Sequence, residues 1–153
     1  MTDTASQVTS ETTGTPPVTE NADACTVYYD GACPLCQREI SFYQGLDGAD
    51  AIRWHDVSKV DTGTDALTQN QAMARFHVRR ADGSLVSGAR GFIEVMKTIP
   101  KLKTLATILS VPPLPWIAEG AYRLFLPLRP TLKKLIPAPT NTPRNDAELH
   151  DAS

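Results

Sequence analysis

Two cysteines separated by two residues form the part of this sequence best suited to chemistry. Cys33 and Cys36 enclose Pro34 and Leu35 and follow the apolar run 25–29. If Pro34 opens a helix, its missing N–H and fixed φ suit that position, so Cys33 becomes the N-cap. Cys36 then lies on the same helix face one turn later, a spacing compatible with a disulfide whose Cα atoms are about 5.5 Å apart. The spacing therefore predicts a site for thiol–disulfide exchange.

The predicted position at the start of a helix gives the two thiols different roles. Free N–H groups and the positive end of the helix favour a thiolate at Cys33, which we expect to be the nucleophile. It would attack an oxidised sulfur and form a mixed disulfide. Cys36, one turn inside the helix, is expected to be more buried, to have the higher pKa and to resolve the mixed disulfide.

A pair of cysteines also permits two other interpretations. The first is a soft-metal site, but structural zinc needs four ligands. Four donors remain in the sequence, with no second Cys-x-x-Cys and no His-x-x-x-His pair: Cys25, His55, His77 and His150. The second is a non-catalytic interaction module with an inert or structural pair. We therefore predict a redox pair, with no metal and no bound cofactor.

Asp30 and Gly31 lie between the first predicted strand and the cysteines. Asp30 has two interpretations: it accepts a proton from Cys36 during resolution, or it caps the turn through local backbone hydrogen bonds. Gly31 is expected to allow a tight turn and to leave room for a substrate beside Cys33. Together with Pro34, Gly31 is a candidate substrate-binding and turn residue.

Trp54, His55 and Asp56 end the second predicted strand near the same edge of the sheet. Trp54 is a further candidate substrate-binding residue, although a packed Trp and a solvent-facing His are favoured over acid–base chemistry by His55 and Asp56. Cys25 starts the first strand, about five residues of 3.3 Å each from the active turn. We therefore expect Cys25 to be a small core residue.

The order of patterns predicts an α/β fold with a mixed four-stranded sheet. A strand at 25–29, a helix from Pro34 and a strand at 51–57 form a β-α-β unit with parallel strands. Residues 58–74 suggest a loop and a short capped helix. A β-hairpin follows, with strands near 74–80 and 85–86, and then a helix at 88–98.

The stretch from 105 to 128 is apolar apart from Glu119 and Arg123. Pro112, Pro113 and Pro115 divide it into pieces too short to cross a bilayer of about 30 Å. It predicts two or three short buried helices whose apolar side chains cover the core or a partner: Trp116, Ile117, Tyr122, Leu124 and Phe125. Weak contact with a membrane surface, aided by Lys133 and Lys134, is an alternative.

The residues from Tyr29 to Cys36 resemble the signature of the DCC family (DUF393) of thiol-disulfide oxidoreductases. The resemblance covers about residues 25–136 and includes further positions: Trp54-His55-Asp56, Phe76-His77-Val78, Asp82-Gly83, Gly88-Ala89, and Tyr122 with Arg129 seven residues later. It implies a thioredoxin-like fold with extra C-terminal helices, and Asp30, Cys33 and Cys36 as its functional residues. Thioredoxins place a cis-proline before the strand that faces their cysteine pair. In this chain the corresponding positions are Met73, Ala74 and Arg75.

Composition and length indicate one domain, at 25–136, between two tails. The chain has 153 residues and a net charge of −2, which gives no electrostatic reason to expect nucleic acid. Residues 1–24 are acidic, rich in Thr, Ser and Pro, and predicted to be disordered, and 137–153 is predicted to be flexible. The odd number of cysteines and the lack of a secretory signal favour a reducing, cytoplasmic location. Expected partners are protein or small-molecule thiols and disulfides, with an unidentified reductant for recycling.

Overall fold

The computed structural model describes residues 25–62 and 66–147. Its strands are β1 (Cys25–Tyr29), β2 (Ile52–Asp56), β3 (His77–Arg79) and β4 (Leu85–Ser87). Its α-helices are α1 (Pro34–Gln44), α2 (Gln69–Ala74), α3 (Ala89–Thr98), α4 (Lys103–Leu109) and α5 (Leu114–Leu135). The tail predicted at 1–24, the donor His150 and the end of the chain from 148 lie outside the described residues.

The four strands form one mixed sheet in the order β2-β1-β3-β4. The β1 and β2 strands are parallel and joined through α1, and Tyr29 pairs with Asp56 at their carboxyl ends. The β3 strand runs antiparallel to both β1 and β4. The predicted thioredoxin-like α/β architecture, with its β-α-β start and its hairpin, is confirmed.

Alternating side chains of β1 pack on opposite faces of the sheet. On one face, Val27 and Tyr29 join a core cluster with residues of β2, α1 and α3. On the other face, Tyr28 packs with Leu67 and with Ala72 of α2. Helix α2 begins with a capping box in which Thr68 and Gln71 bond each other's backbone, so the predicted capped helix is present.

The predicted division of the stretch from 105 to 128 at its prolines is confirmed, since α4 ends at Leu109 and α5 begins at Leu114. Helix α5 itself is neither short nor buried, in contrast to the prediction. It is one helix of 22 residues, with Pro127 and Pro130 inside it, and none of its residues is buried. Trp116 and Ile117 are each 63% exposed and Leu124 is 70% exposed. Pro115 lies in the first turn of α5, where its missing N–H costs nothing. The predicted short length was wrong because the helix continues through Pro127 and Pro130 to Leu135. Within the described residues, no helix is both long and apolar enough to cross a membrane.

The segment after α5 returns to the edge of the sheet at β2. The Asn145 side chain accepts a hydrogen bond from the Asp56 N–H at 3.0 Å, and the Asp146 carboxylate accepts one from the Trp54 N–H at 3.0 Å. The Asp146 N–H donates to the Trp54 carbonyl at 2.8 Å. Part of the region predicted to be flexible thus bonds to the sheet. The domain boundary at 136 stays a prediction.

Candidate active site

The two cysteines lie at the start of α1, as the spacing predicts. Cys33 is the N-cap with extended backbone (φ −96°, ψ 115°), and Pro34 follows in the first turn. The Cys33 carbonyl accepts the N–H of Gln37 at 2.9 Å, and the Cys33 N–H donates to the Asp30 carbonyl at 3.1 Å. Both thiols are free. The strand-to-helix turn therefore holds the sulfurs of Cys33 and Cys36 at the amino end of the helix.

Arg129 from α5 contacts both sulfurs. Its Nε lies 3.5 Å from the Cys33 Sγ, and one Nη lies 3.6 Å from the Cys36 Sγ. The other Nη donates to the Met73 carbonyl at 3.2 Å, in the segment before β3. This fixed cation stabilises negative charge on either sulfur.

Asp30 holds both the turn and the cations beside the cysteines. One carboxylate oxygen accepts the Ala32 N–H at 2.9 Å, which is the predicted cap of the turn. The other oxygen accepts bonds from Arg129 at 2.6 Å and Lys133 at 3.1 Å. Since the Asp30 side chain is only 3% exposed, this is a buried ion pair that fixes α5 over the start of α1.

The pKa values of the two thiols move in opposite directions. The pKa of Cys33 is lowered to about 5, first by the hydrogen bond from Cys36 and then by the one from Arg129. The pKa of Cys36 is raised far above its usual range because its proton bonds Cys33 and because partial burial disfavours its charged form. At neutral pH the pair therefore consists of a Cys33 thiolate and a Cys36 thiol.

The burial order of the cysteines is the reverse of the prediction. Cys33 has no exposed surface, whereas Cys36 is half-buried. The prediction considered α1 alone, and the structure adds Arg129 of α5 in contact with the Cys33 sulfur. A substrate disulfide can therefore reach Cys33 only after the covering side chains shift.

Position 31 requires glycine because the backbone there lies very close to the Asp56 carboxylate. The Gly31 N–H donates to the Asp56 carboxylate at 2.9 Å. A Cβ on Gly31 would lie 1.9 Å from an Asp56 oxygen, so no side chain fits. The Gln37 side-chain amide also donates to the Gly31 carbonyl. The carboxyl ends of β1 and β2 are thereby tied together directly below the cysteine turn.

The other sequence candidates lie away from the sulfurs. Trp54 has no exposed surface and its Nε1 donates to the Ala49 carbonyl at 3.4 Å, so it is a core residue and cannot meet a substrate. His55 bonds the Asp61 carbonyl at 2.6 Å and packs on Tyr28, so its observed partners are a backbone carbonyl and an aromatic ring.

Cys25 occupies the predicted core position, at the start of β1. It is 8% exposed, its sulfur is 3.7 Å from the Thr98 hydroxyl, and burial raises its pKa. Among the described residues, no group of three His, Cys, Asp or Glu side chains is placed to hold a metal ion. The soft-metal interpretation thus has no third ligand in this part of the chain.

Sequence reasoning did not assign Arg129 and Lys133 to the cysteines. The available signal was the spacing of Tyr122, Leu126, Arg129 and Lys133, which places all four on one helix face. Tyr122 confirms the direction of that face, because its hydroxyl accepts the Phe76 N–H at 3.0 Å. A cavity of about 30 Å³ lies between this face and Cys36.

The fold and the paired sulfurs define a mixed α/β protein with a redox-type cysteine pair at the start of its first helix. The chain belongs to the DCC1-like thiol-disulfide oxidoreductase family, whose model matches residues 27–135. This finding confirms the resemblance seen in the sequence.

A curated relative and a search of solved structures complete the comparison. The chain is 27% identical over 120 residues to an uncharacterized protein of Arabidopsis thaliana that is described as chloroplastic. The match covers 72% of this chain but 56% of the relative, so the chain spans about half the length of that relative. No solved structure matches the chain.

Proposed function

We propose that this protein exchanges disulfides through Cys33 and Cys36, with Cys33 as the attacking thiolate. The observation that supports this most directly is the Arg129 guanidinium, which lies within 3.6 Å of both sulfurs. A thiolate is the reactive form in disulfide exchange, and a fixed cation keeps it available at neutral pH.

The reaction proceeds in two displacements. The Cys33 thiolate attacks one sulfur of a substrate disulfide, forming a mixed disulfide and releasing the other substrate sulfur as a thiolate. Cys36 then loses its proton and attacks the Cys33 sulfur. The substrate leaves as a dithiol, and a Cys33–Cys36 disulfide remains, to be reduced by an external thiol or dithiol.

Asp30 has a defined place in the second displacement. Cys36 must lose its proton, and Asp30, Cys36 and Arg129 all line the cavity of about 30 Å³ beside it. A cavity of this size is large enough to hold a water, which would link the Cys36 thiol to the Asp30 carboxylate for proton transfer. Asp30 thereby assists resolution and also anchors Arg129.

The proposed substrates are protein or small-molecule disulfides and thiols. The sulfurs themselves are the redox group in this mechanism, and an unidentified reductant recycles the pair. A cytoplasmic location is part of the proposal, because a reducing compartment keeps such a pair reduced between turnovers.

A trapping experiment tests the order of attack. The Cys36→Ser variant is expected to hold its mixed disulfide with a model substrate such as oxidised glutathione, identified by mass spectrometry as an adduct on Cys33. The matched Cys33→Ser variant is expected to form far less adduct. Equal labelling of Cys36 in the Cys33→Ser variant would show that the proposed order is wrong.

A further inference from the structure

The outward face of α5 is apolar along its whole length. Ile117, Leu124, Leu128 and Leu135 are 63%, 70%, 53% and 73% exposed. At 3.6 residues per turn, these positions fall within about 40° of one another around the helix axis, along about 27 Å of helix. They form a continuous exposed stripe, named here the outer stripe.

The outer stripe lies opposite the face that serves the cysteines. Tyr122, Arg129 and Lys133 lie about 140° around the axis from it. Tyr122 bonds the Phe76 N–H just before β3, and Arg129 and Lys133 bond groups of the redox site. Tyr122, Arg129 and Lys133 mark the inner face of α5, whose contacts with the rest of the domain are described above. The outer stripe has no such role in those contacts. Contiguous exposed apolar surface of this kind marks an interaction site.

The part of the chain that carries the outer stripe has more basic than acidic side chains. Residues 97–134 contain Glu119 as their single acidic side chain. The basic side chains in the same range are Lys97, Lys101, Lys103, Arg123, Arg129, Lys133 and Lys134. Arg129 and Lys133 pair with Asp30 on the opposite face, and Lys97, Lys101 and Arg123 pair with Glu94, Asp47 and Glu119. Because the whole chain has a net charge of −2, this concentration of cations is local.

We propose that the outer stripe binds the surface of an anionic lipid bilayer, with α5 lying in the plane of the interface. An amphipathic helix with exposed Leu and Ile, and with Lys and Arg at its borders, is suited to that position. Anionic headgroups attract the cations, whereas the outer stripe enters the boundary of the acyl chains. No helix of the described residues can span the bilayer, which is consistent with contact in the plane.

Charge favours a membrane over a second copy of the chain. Packing two outer stripes together would bring the excess of basic side chains on the two copies closer together, and like charges repel. Helix α4, which packs against α5, adds further exposed apolar side chains: Leu105, Ile108 and Val111. When the outer stripe lies on lipid, the inner face of α5, which contacts Cys33 and Cys36 through Arg129, points away from the bilayer.

Vesicle sedimentation of the full chain tests this proposal. The protein is expected to pellet with phosphatidylcholine vesicles that contain phosphatidylserine and to be released by high salt. The Leu124→Gln/Leu128→Gln double variant should bind at least about tenfold more weakly, because two exposed leucines no longer enter the interface. Phe42→Gln, at a 59% exposed position on α1, is the matched control and should bind like the unmodified protein.

The outcomes separate the membrane from other occupants. Both variants must keep the circular dichroism and melting behaviour of the unmodified protein, and since all three positions are exposed we expect this. The proposal is overturned if the unmodified protein stays in the supernatant, or if it binds pure phosphatidylcholine equally well. A dimer in sedimentation velocity that the double variant makes monomeric would overturn it in favour of a second copy.

Discussion

At the scale of single residues, the chemistry depends on keeping a negative charge at Cys33. The thiolate receives hydrogen bonds from Cys36 and Arg129, and the pKa of Cys33 is lowered to about 5. The cation is held in turn by Asp30, whose second oxygen bonds Arg129 at 2.6 Å. Asp30 thus influences the thiolate through the group that it positions.

Alkylation against pH tests the state of Cys33. In the reduced protein, the rate at which iodoacetamide labels Cys33 should rise as pH increases through about 5, where the thiolate forms, and level off near neutral pH. Cys25, whose pKa burial raises, should label slowly throughout this range. Peptide mass spectrometry measures both rates. Labelling of Cys33 no faster than Cys25 at neutral pH would contradict the assignment.

Removal of the Arg129 charge should weaken the thiolate and change the redox equilibrium. Arg129→Met is expected to raise the pKa of Cys33 by about one to two units, since an opposite charge in contact contributes that much. The reduced form then loses stability, and the reduction potential falls by about 30 to 60 mV.

A neighbouring arginine provides the control for this substitution. Arg123→Met removes a charge from the same helix, at a side chain that is 69% exposed and bonds Glu119. It should therefore leave the pKa of Cys33 and the reduction potential unchanged. Titration with iodoacetamide gives the pKa, and equilibration with glutathione gives the potential. Equal effects of the two variants would indicate that general charge, and not contact with the sulfurs, lowers the pKa.

At the scale of elements, the carboxyl ends of β1 and β2 support the cysteine turn. Gly31 and Asp56 meet there because the two strands are parallel and in register. Asp56 also accepts the Ser58 N–H at 3.0 Å and the Ser58 hydroxyl at 2.6 Å, which fixes its carboxylate. The turn before α1 therefore rests on a group with little freedom to move.

A pair of glycine substitutions tests this support. Gly31→Ala should lower the free energy of unfolding by about 1 to 3 kcal/mol, because the added Cβ overlaps the Asp56 carboxylate. Gly120→Ala in α5 meets nothing within 4 Å and should raise it by about 0.5 to 1 kcal/mol through helix propensity. Urea denaturation measures both. A neutral Gly31→Ala would show that the turn can move away from Asp56.

Local patterns predicted most of the elements, and long-range contacts set the rest. The strand–turn–helix around Cys33, the hairpin and the capped helix follow from residues close in sequence. Arg129 meets Asp30 across 99 positions, which no local period reveals. The break at Pro112 and Pro113 was predicted from sequence and separates α4 from α5, but the 22-residue length and the exposure of α5 were not predicted.

At the scale of the whole molecule, two late parts of the chain close over the first β-α-β unit. Helix α5 covers Cys33, and the segment around Asn145 bonds the backbone of β2. The prediction that Cys36 is the more buried thiol failed for this reason, since it placed the pair on α1 without a cover. Sequence reasoning placed the cysteines correctly in the fold but could not show what packs above them.

Substitution at Asn145 tests the closure at β2. Asn145→Ala should lower the free energy of unfolding by about 1 to 3 kcal/mol, because the buried Asp56 N–H loses its acceptor. Asn141→Ala, at an exposed side chain in the same segment, is the control and should have little effect. Thermal and urea denaturation measure the difference. Equal stability of the two variants would mean that the segment is not held against the sheet.

The most direct test of the account is a redox titration of the full chain. The protein is equilibrated in buffers of increasing glutathione disulfide, quenched with acid, unfolded in denaturant, alkylated so that every free thiol reacts, and analysed by peptide mass spectrometry. We expect one two-electron transition in which Cys33 and Cys36 lose their labels together while Cys25 stays labelled at every potential. A pair that remains fully labelled under oxidising conditions, or a disulfide that includes Cys25, would contradict the proposed function.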